Sequence, residues 1–517
     1  MHKMLQLWYN EDDLNDSKRR NIVLNHVIRT TMAYLDSMPK TKRKKIGQFF
    51  TSLETARFMA GLFVIPEQKH LDVLDPGTGS AILTAALMER LSRYSELKSV
   101  SLICYETEPA ILPLLRDNLD YLKDNVPFKL NYTIISENYI TSQQNPKPIA
   151  DLVIGNPPYL KVNRQAPEAC AMPQVIHGAP NLYFLFAARS IENLRDRGQM
   201  VYIIPRSWTS GAYFKAFRHF LFGNTALEHM HLFVSRDKVF EQESVLQETM
   251  IIKIQKAVPM PQSIRITSTE TTHDFQKMQI QVVPSKLVVK QDENQYVYLV
   301  TNPADVDTLE CLSILPHTLP DLQMKMKTGL TVDFRERGHL FDVPAKDRVP
   351  MFFSQHLKDG RIVFPVGKHG EFLDTRKRSL LQPNENYLFV KRFTAKEEPR
   401  RLQSSIYLQA DFSQYQEIST QNKLNFITGI KKPLSTFLVY GLYCLFNSTL
   451  YDRYYRILNG STQVNSTEVN TMPMPSRDGI EHLGQRLMET EKLDEATCEY
   501  ILEEYLNGEN RRSEKIS

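Results

Sequence analysis

The stretch Asp151-Leu-Val-Ile-Gly-Asn-Pro-Pro-Tyr159 holds the residue types best suited to chemistry. Residues 152 to 154 predict a fully buried strand that the Gly155-Asn156 turn ends. Two successive prolines then fix φ and remove two backbone donors, while their carbonyls remain acceptors. The carboxamide of Asn156, the carbonyl of Pro157 and the ring of Tyr159 therefore gather at the end of one strand. Two acceptors and an aromatic face suit a flat ring that bears an exocyclic amino group. Asn, Pro and Gly are also ordinary turn residues, so this reading depends on partners elsewhere in the chain.

Those partners lie upstream. Leu71 to Asp75 predicts a buried strand, and Pro76-Gly-Thr-Gly-Ser80 turns into a helix over Ala81 to Tyr94. A strand, a glycine-rich turn and a helix open a nucleotide-binding α/β sheet, where glycines let backbone approach a ligand. The next strand, Ser101 to Tyr105, ends in Glu106, near where such folds place a carboxylate on ribose hydroxyls. A third strand, Asn131 to Ile135, leads to Glu137-Asn138-Tyr139. Before them all, Gly47-Gln-Phe-Phe-Thr-Ser52 precedes a helix from about Leu53 to Phe63. Thr51 or Ser52 would cap that helix, whose N-terminus attracts carboxylates and phosphates.

The elements that must position these residues alternate. A helix is predicted over residues 13 to 38, followed by five bases in the six residues Lys40 to Lys45. After the Asn-Pro-Pro-Tyr turn come a helix at Asn181 to Leu194, a strand at Gly198 to Pro205, a helix at Phe214 to Phe222, and strands at Leu227 to Val234 and Leu246 to Ile254. Strands alternating with helices predict a mainly parallel, doubly wound sheet, here of seven strands. Past residue 258 the pattern turns proline-punctuated and strand-rich, from Ser263 to Thr267 onward. Bases cluster at Lys325 and Lys327, Arg335 and Arg337, Arg376 to Arg378, Lys391-Arg392 and Arg400-Arg401. A long helical stretch over Ser435 to Leu458 carries five tyrosines at spacings that suit one buried face, and a charged helical hairpin closes the chain. The expected division is an N-terminal extension (1–46), a catalytic domain (47–257), a C-terminal α+β domain (258–475) and the hairpin (476–517).

Composition narrows the class. No run of about 18 apolar residues is present, so no membrane span is expected. The charged N-terminus lacks a secretory h-region, and five widely separated cysteines without a Cys-x-x-Cys pair read as reduced, cytoplasmic usage with neither disulfides nor a zinc site. No other metal site is expected. A net charge of +4 supplies no global basic field, so nucleic acid would be felt through local clusters.

Taken together, these motifs resemble the gamma-class N6-adenine DNA methyltransferases of bacterial restriction-modification systems, the TaqI-like group, and within it the enzymes that modify PstI-type sites. The order of cofactor motif, catalytic motif and C-terminal target-recognition domain is the same. The resemblance covers residues 44 to 255 by motif. It extends to about 475 through Asn447-Ser-x-Leu450 and Gly460-Ser-Thr-Gln-Val464. It implies S-adenosylmethionine as cofactor, with Thr51 at its methionine end, Asp75, Gly77 and Gly79 lining it and Glu106 on its ribose. Family members usually carry Asp, contacting the cofactor's adenine amine, where this chain has Asn138. They often carry a third glycine where this chain has Ala81.

The resemblance also implies a mechanism and partners. Adenine N6 is a poor nucleophile because its lone pair is delocalised. Acceptors at Asn156 and Pro157 would hold both N6 hydrogens and aim the lone pair at the methyl sulfonium. A base in a duplex must first be flipped out, with Tyr159 as one stacking face and Phe240 as the other. Double-stranded DNA is the expected substrate. With no convincing nuclease motif in the chain, the cognate restriction endonuclease is expected as a separate polypeptide. Asn-Pro-Pro-Tyr also occurs in protein-glutamine methyltransferases, so the alternatives are a protein-glutamine or RNA methyltransferase and a non-catalytic DNA-binding specificity subunit.

Overall fold

Why the chemistry collects at one sheet edge follows from how the strands are ordered. The computed structural model describes residues 22–37, 51–144, 147–234, 249–394, 398–459 and 463–513. These form two compact units divided between Asn302 and Pro303. Lys40 to Lys45, Gly47 to Phe50, Phe240 and Gly460 to Thr462 lie outside the described residues.

In the first unit the chain forms α1 (Ile22–Ser37), α2 (Leu53–Gly61), β1 (His70–Pro76), α3 (Ile82–Leu91), β2 (Ser99–Tyr105), α4 (Leu112–Asn125), β3 (Lys129–Ile135), β4 (Ala150–Gly155), α5 (Pro167–Ala171), α6 (Leu182–Asn193), β5 (Leu194–Pro205), α7 (Lys215–Asn224), β6 (Thr225–Phe233), β7 (Thr249–Lys256), β8 (Ser263–Thr269) and β9 (Gln279–Pro284). The strand order is β3-β2-β1-β4-β5-β7-β6-β8-β9. Strands β3 to β5 run parallel, and β7 lies antiparallel between β5 and β6. The expected doubly wound sheet is there. β1 and β4 read as near-continuous apolar runs because they are covered on both faces, with Leu71, Val73, Leu152 and Ile154 buried. Strand order reverses between β1 and β4, and ligands in open α/β sheets bind at the carboxyl ends of the strands at such a switch.

Three expectations need correction. Among the described residues the sheet has nine strands: β8 pairs parallel with β6, and β9 pairs antiparallel with β8. The boundary expected at 257/258 therefore falls inside the first unit, because Ile264 and Ile266 complete its core. The helix expected to be an N-terminal extension is part of the same core, since Val23, Leu24 and Val27 of α1 are buried in it. Each such side chain contributes on the order of 2 kcal/mol by leaving water.

The second unit is α+β. Among the described residues one sheet has six short strands and another five. The long helix expected over 435–458 is two helices, Thr436–Phe446 and Thr449–Leu458, because Ser448 accepts a hydrogen bond from the Tyr451 amide and caps a new start. Its five tyrosines are buried, consistent with the helix-face spacing. The terminal hairpin, Arg477–Thr490 and Glu495–Ser513, is not a separate domain. A Cβ at Gly441 would sit 1.8 Å from the Ile480 carbonyl oxygen, and one at Gly484 would sit 1.9 Å from that of Phe437, so the first hairpin helix packs backbone to backbone on Thr436–Phe446. The basic clusters also divide. Arg401 is buried, whereas Lys377, Arg378 and Arg400 pair with Glu336, Glu417 and Glu495. Lys325, Lys327, Arg335, Arg337 and Arg376 are exposed.

Candidate active site

Parallel register sets the site. Leu74 lies opposite Val153, and Asp75 opposite Cys104, so the turns after β1, β2 and β4 leave the sheet side by side. In the turn after β1, Gly77 and Gly79 take φ of +81° and +60°, the left-handed region that glycine enters without a Cβ penalty. Ala81 takes φ +72° there as well. The turn thus keeps a glycine-like conformation without its third glycine, at a cost of about 1 to 2 kcal/mol.

Backbone and carboxylates hold this turn. The amides of Gly77 and Thr78 both donate to the Tyr105 carbonyl at 2.9 Å. The Gly79 amide donates to Glu106 Oε2 at 2.9 Å, and the Glu108 amide to Glu106 Oε1 at 2.8 Å. The Thr107 backbone adds a third bond to the same carboxylate. Glu106 is only 8% exposed, and burial raises its pKa against the pull of those backbone donors. Asp75 is fully enclosed and accepts from Thr84 Oγ1 at 2.6 Å. Burial lifts its pKa to about 7, the Thr84 bond lowering it and the charge of Glu106 raising it.

The turn after β4 is held by side chains. The Tyr159 hydroxyl shares its one proton between Asn156 Oδ1 at 2.9 Å and the Ile203 carbonyl at 3.1 Å. Asn156 Nδ2 donates to Thr51 Oγ1 at 3.4 Å. Thr51 itself stands one residue before Ser52, which caps α2 through the Thr55 amide. The carboxamide is thus held at both ends, with a half-buried Tyr159 ring beside it and Pro157 buried. The Tyr183 ring meets that of Tyr159 edge-on at 6.4 Å.

Residues predicted from sequence fall into two neighbouring groups: Thr51, Asn156, Pro157 and Tyr159 on one side, Asp75, Gly77, Gly79 and Glu106 on the other. Asn138 stands at the end of β3, exposed. Its amide oxygen accepts from the Ile140 amide at 3.1 Å, and its amide nitrogen donates to Glu168 Oε1 at 2.7 Å. A carboxylate stands at this corner after all, delivered by α5. Glu168 was missed because nothing in its spacing from Asn138 reveals the pairing across to α5. Thr84 and Phe186, whose ring lies 3.6 Å from a Cβ placed on Gly77, were missed too. Both sit on ordinary apolar helices.

Comparison with known proteins gives consistent relatives. The sequence profile of the Eco57I restriction-modification methylase family matches residues 92–240. The chain is 32% identical to the Type II methyltransferase M.PstI of Providencia stuartii over 492 residues, covering 92% of this chain and 96% of that protein. It is 32% identical to the Type II methyltransferase M.BsuBI of Bacillus subtilis over 486 residues, covering 90% and 95%. With the Type II methyltransferase M.AccI of Acinetobacter calcoaceticus the identity is 25% over 224 residues, covering 42% and 38%.

Proposed function

This chain belongs to the Type II methyltransferases of restriction-modification systems, and from that premise we propose that it methylates the N6 amino group of a specific adenine in double-stranded DNA. S-adenosylmethionine, when bound, supplies a methyl group on a positively charged sulfur and takes back the electron pair as a neutral sulfide. A neutral leaving group requires no strong base or metal. The residues present fit this cofactor: Glu106 offers a carboxylate for ribose hydroxyls, the left-handed turn at Gly77 and Gly79 exposes backbone beside it, and Asp75 buttresses that turn. Thr51 serves the methionine end. Asn138 and Glu168 together serve the adenine ring, Glu168 carrying the charge that Asn138 lacks.

The target amino group is served by Asn156 and Pro157. The Asn156 oxygen accepts one N6 hydrogen and the Pro157 carbonyl the other, which favours a pyramidal nitrogen with its lone pair aimed across the switch point. The observation that carries this reading is the double anchoring of Asn156 by Tyr159 and Thr51 next to the Glu106-held turn. A carboxamide fixed before its substrate arrives pays no reorganisation in the transition state. The flipped base stacks on Tyr159, with Phe240 as its other face. The second unit serves as target-recognition domain, its exposed Lys325, Lys327, Arg335, Arg337 and Arg376 positioning the phosphate backbone. The partner endonuclease is a separate chain.

The test is transfer of tritiated methyl from S-adenosylmethionine to DNA lacking adenine methylation, to RNA and to protein. Label is expected on DNA alone and is abolished by Asn156→Ala. Label on RNA or protein instead would refute the proposal.

A further inference from the structure

The face beside Tyr159 carries side chains that neither the cofactor nor the target adenine uses. Leu160 follows Tyr159 directly and is 60% exposed, and Tyr213 is 65% exposed. Both belong to segments joined to the Tyr159 site. The Val162 amide donates to the Pro180 carbonyl at 3.0 Å and the Leu182 amide to the Leu160 carbonyl at 2.9 Å, so residues 160–162 pair with residues 180–182 at the start of α6. Beside this pairing lies an open cleft of about 490 Å³, with Val162, Arg164, His177 and Tyr213 in its lining.

The walls of this cleft are fixed. Arg164 donates from Nε to the Gly178 carbonyl at 3.1 Å and from Nη2 to the His177 carbonyl. The Tyr213 ring rests on Gly178, where a Cβ would run into it. The loop that carries Tyr213, residues 206–214, is gripped by a buried guanidinium. Arg218 donates from Nη1 to the carbonyls of Trp208, Ser210 and Gly211 at 2.9, 2.8 and 3.1 Å, and from Nε to that of Asn294 at 2.7 Å. The Tyr183 hydroxyl lies 3.1 Å from Ser207 Oγ, which ties the same loop to the ring that meets Tyr159 edge-on. An exposed ring on a fixed loop loses little freedom when a partner stacks on it.

The chemistry of the lining selects the occupant. It offers an aromatic face and a guanidinium, and of the described residues that line it none is a carboxylate. That pair suits a flat ring joined to an anion. A flipped adenine stays tethered to its strand by a phosphate on either side, so the nucleotide next to it reaches the surface just beyond Tyr159. We propose that this cleft receives the nucleotide adjoining the flipped adenine on the same strand, its base against the Tyr213 ring and its phosphate against Arg164. The inference rests on the DNA methyltransferase reading above and adds Tyr213 and Arg164 to it as binding residues. The first unit then reads part of the sequence context beside the adenine, as enzymes that flip bases do through flanking nucleotides.

Steady-state transfer of tritiated methyl to adenine-unmethylated plasmid DNA, at saturating S-adenosylmethionine and over a series of salt concentrations, tests it. Tyr213→Ala is expected to raise KM for DNA about tenfold, the scale of losing one stacked base, with kcat and S-adenosylhomocysteine affinity little changed. Tyr213→Phe keeps the ring and is expected to restore KM, whereas Tyr213→Leu fills the space without an aromatic face and is not. Arg164→Gln is expected to make the fall of log kcat/KM with log salt shallower by about one, the signature of one phosphate contact, which lost packing does not give. A wild-type KM in Tyr213→Ala, phenylalanine and leucine behaving alike, or an unaltered salt slope in Arg164→Gln overturns this inference alone. No methylation of DNA by the wild type overturns it together with the functional reading.

Discussion

The turns that follow β1 and β4 leave neighbouring parallel strands at one sheet edge, but they are made differently. The first is glycine-rich, takes left-handed backbone at Gly77, Gly79 and Ala81, and is tied down by amides donating to the Tyr105 carbonyl and the Glu106 carboxylate. The second is proline-rich and is tied down by the side-chain chain Tyr159, Asn156, Thr51. A turn that must bring backbone close to an invariant ligand spends its freedom on φ. On the proposed function, a turn that holds one amide against a base arriving from a duplex uses rigidity instead. Binding and chemistry should therefore separate under mutation.

The largest effect tests that separation. Asn156→Ala is expected to lower kcat by about a thousandfold, the scale of losing a preorganised polar group in the transition state. Titration with S-adenosylhomocysteine should meanwhile give a Kd within about threefold of wild type, on the order of the smallest hydrogen-bond effects. Loss of cofactor affinity in parallel with kcat would erase the distinction between the turns. Glu106→Gln should do the reverse. It is expected to weaken cofactor binding by about ten- to a hundredfold, as for a hydrogen bond to a charged group, with kcat recovering at saturating cofactor. A kcat that stays low at saturation would place Glu106 on the chemical side.

A smaller effect sharpens the cofactor side. Glu168→Ala is expected to weaken S-adenosylhomocysteine binding by about fivefold, while an analogue without the 6-amino group should bind wild type and variant equally. Weakening of both ligands by the same factor would reduce Glu168 to a prop for Asn138. The smallest effect is a stability signature of Asp75. Burial raises its pKa from 3.8 to about 7 in the folded protein. The folded state therefore holds this proton more tightly than the unfolded chain. That stabilisation is complete below about pH 4 and is lost as pH rises to about 7. The difference in urea midpoint between wild type and Asp75→Asn should shift against the wild type across that window. A difference independent of pH would show that the carboxyl is ionised throughout.

How far these features were legible depends on whether their cause is local. The strands at Leu71 and Leu152 announce themselves as apolar runs, and the turns announce themselves by glycine and proline, because strand burial and turn conformation are properties of consecutive residues. Membership of β8 and β9 in the first sheet is a property of their partners. Ser263 to Thr269 reads identically whether it pairs with β6 or starts a new domain. The break between Thr436–Phe446 and Thr449–Leu458 was readable from Ser448 as a helix cap, but the apolar periodicity running through it hid the signal. Glu168 had no such signal, because only the folded chain brings it, on α5, to the Asn138 amide at the end of β3.

On the proposed function, the amide fixed at residue 156 serves the exocyclic amine of adenine. Incubating unmethylated DNA with the protein and S-adenosylmethionine bearing a deuterated methyl, then digesting to nucleosides for mass spectrometry, tests it directly. Deuterated N6-methyldeoxyadenosine is expected as the sole labelled nucleoside, absent with Asn156→Ala. Label on cytosine, or labelled N6-methyldeoxyadenosine formed undiminished by the alanine variant, would contradict it.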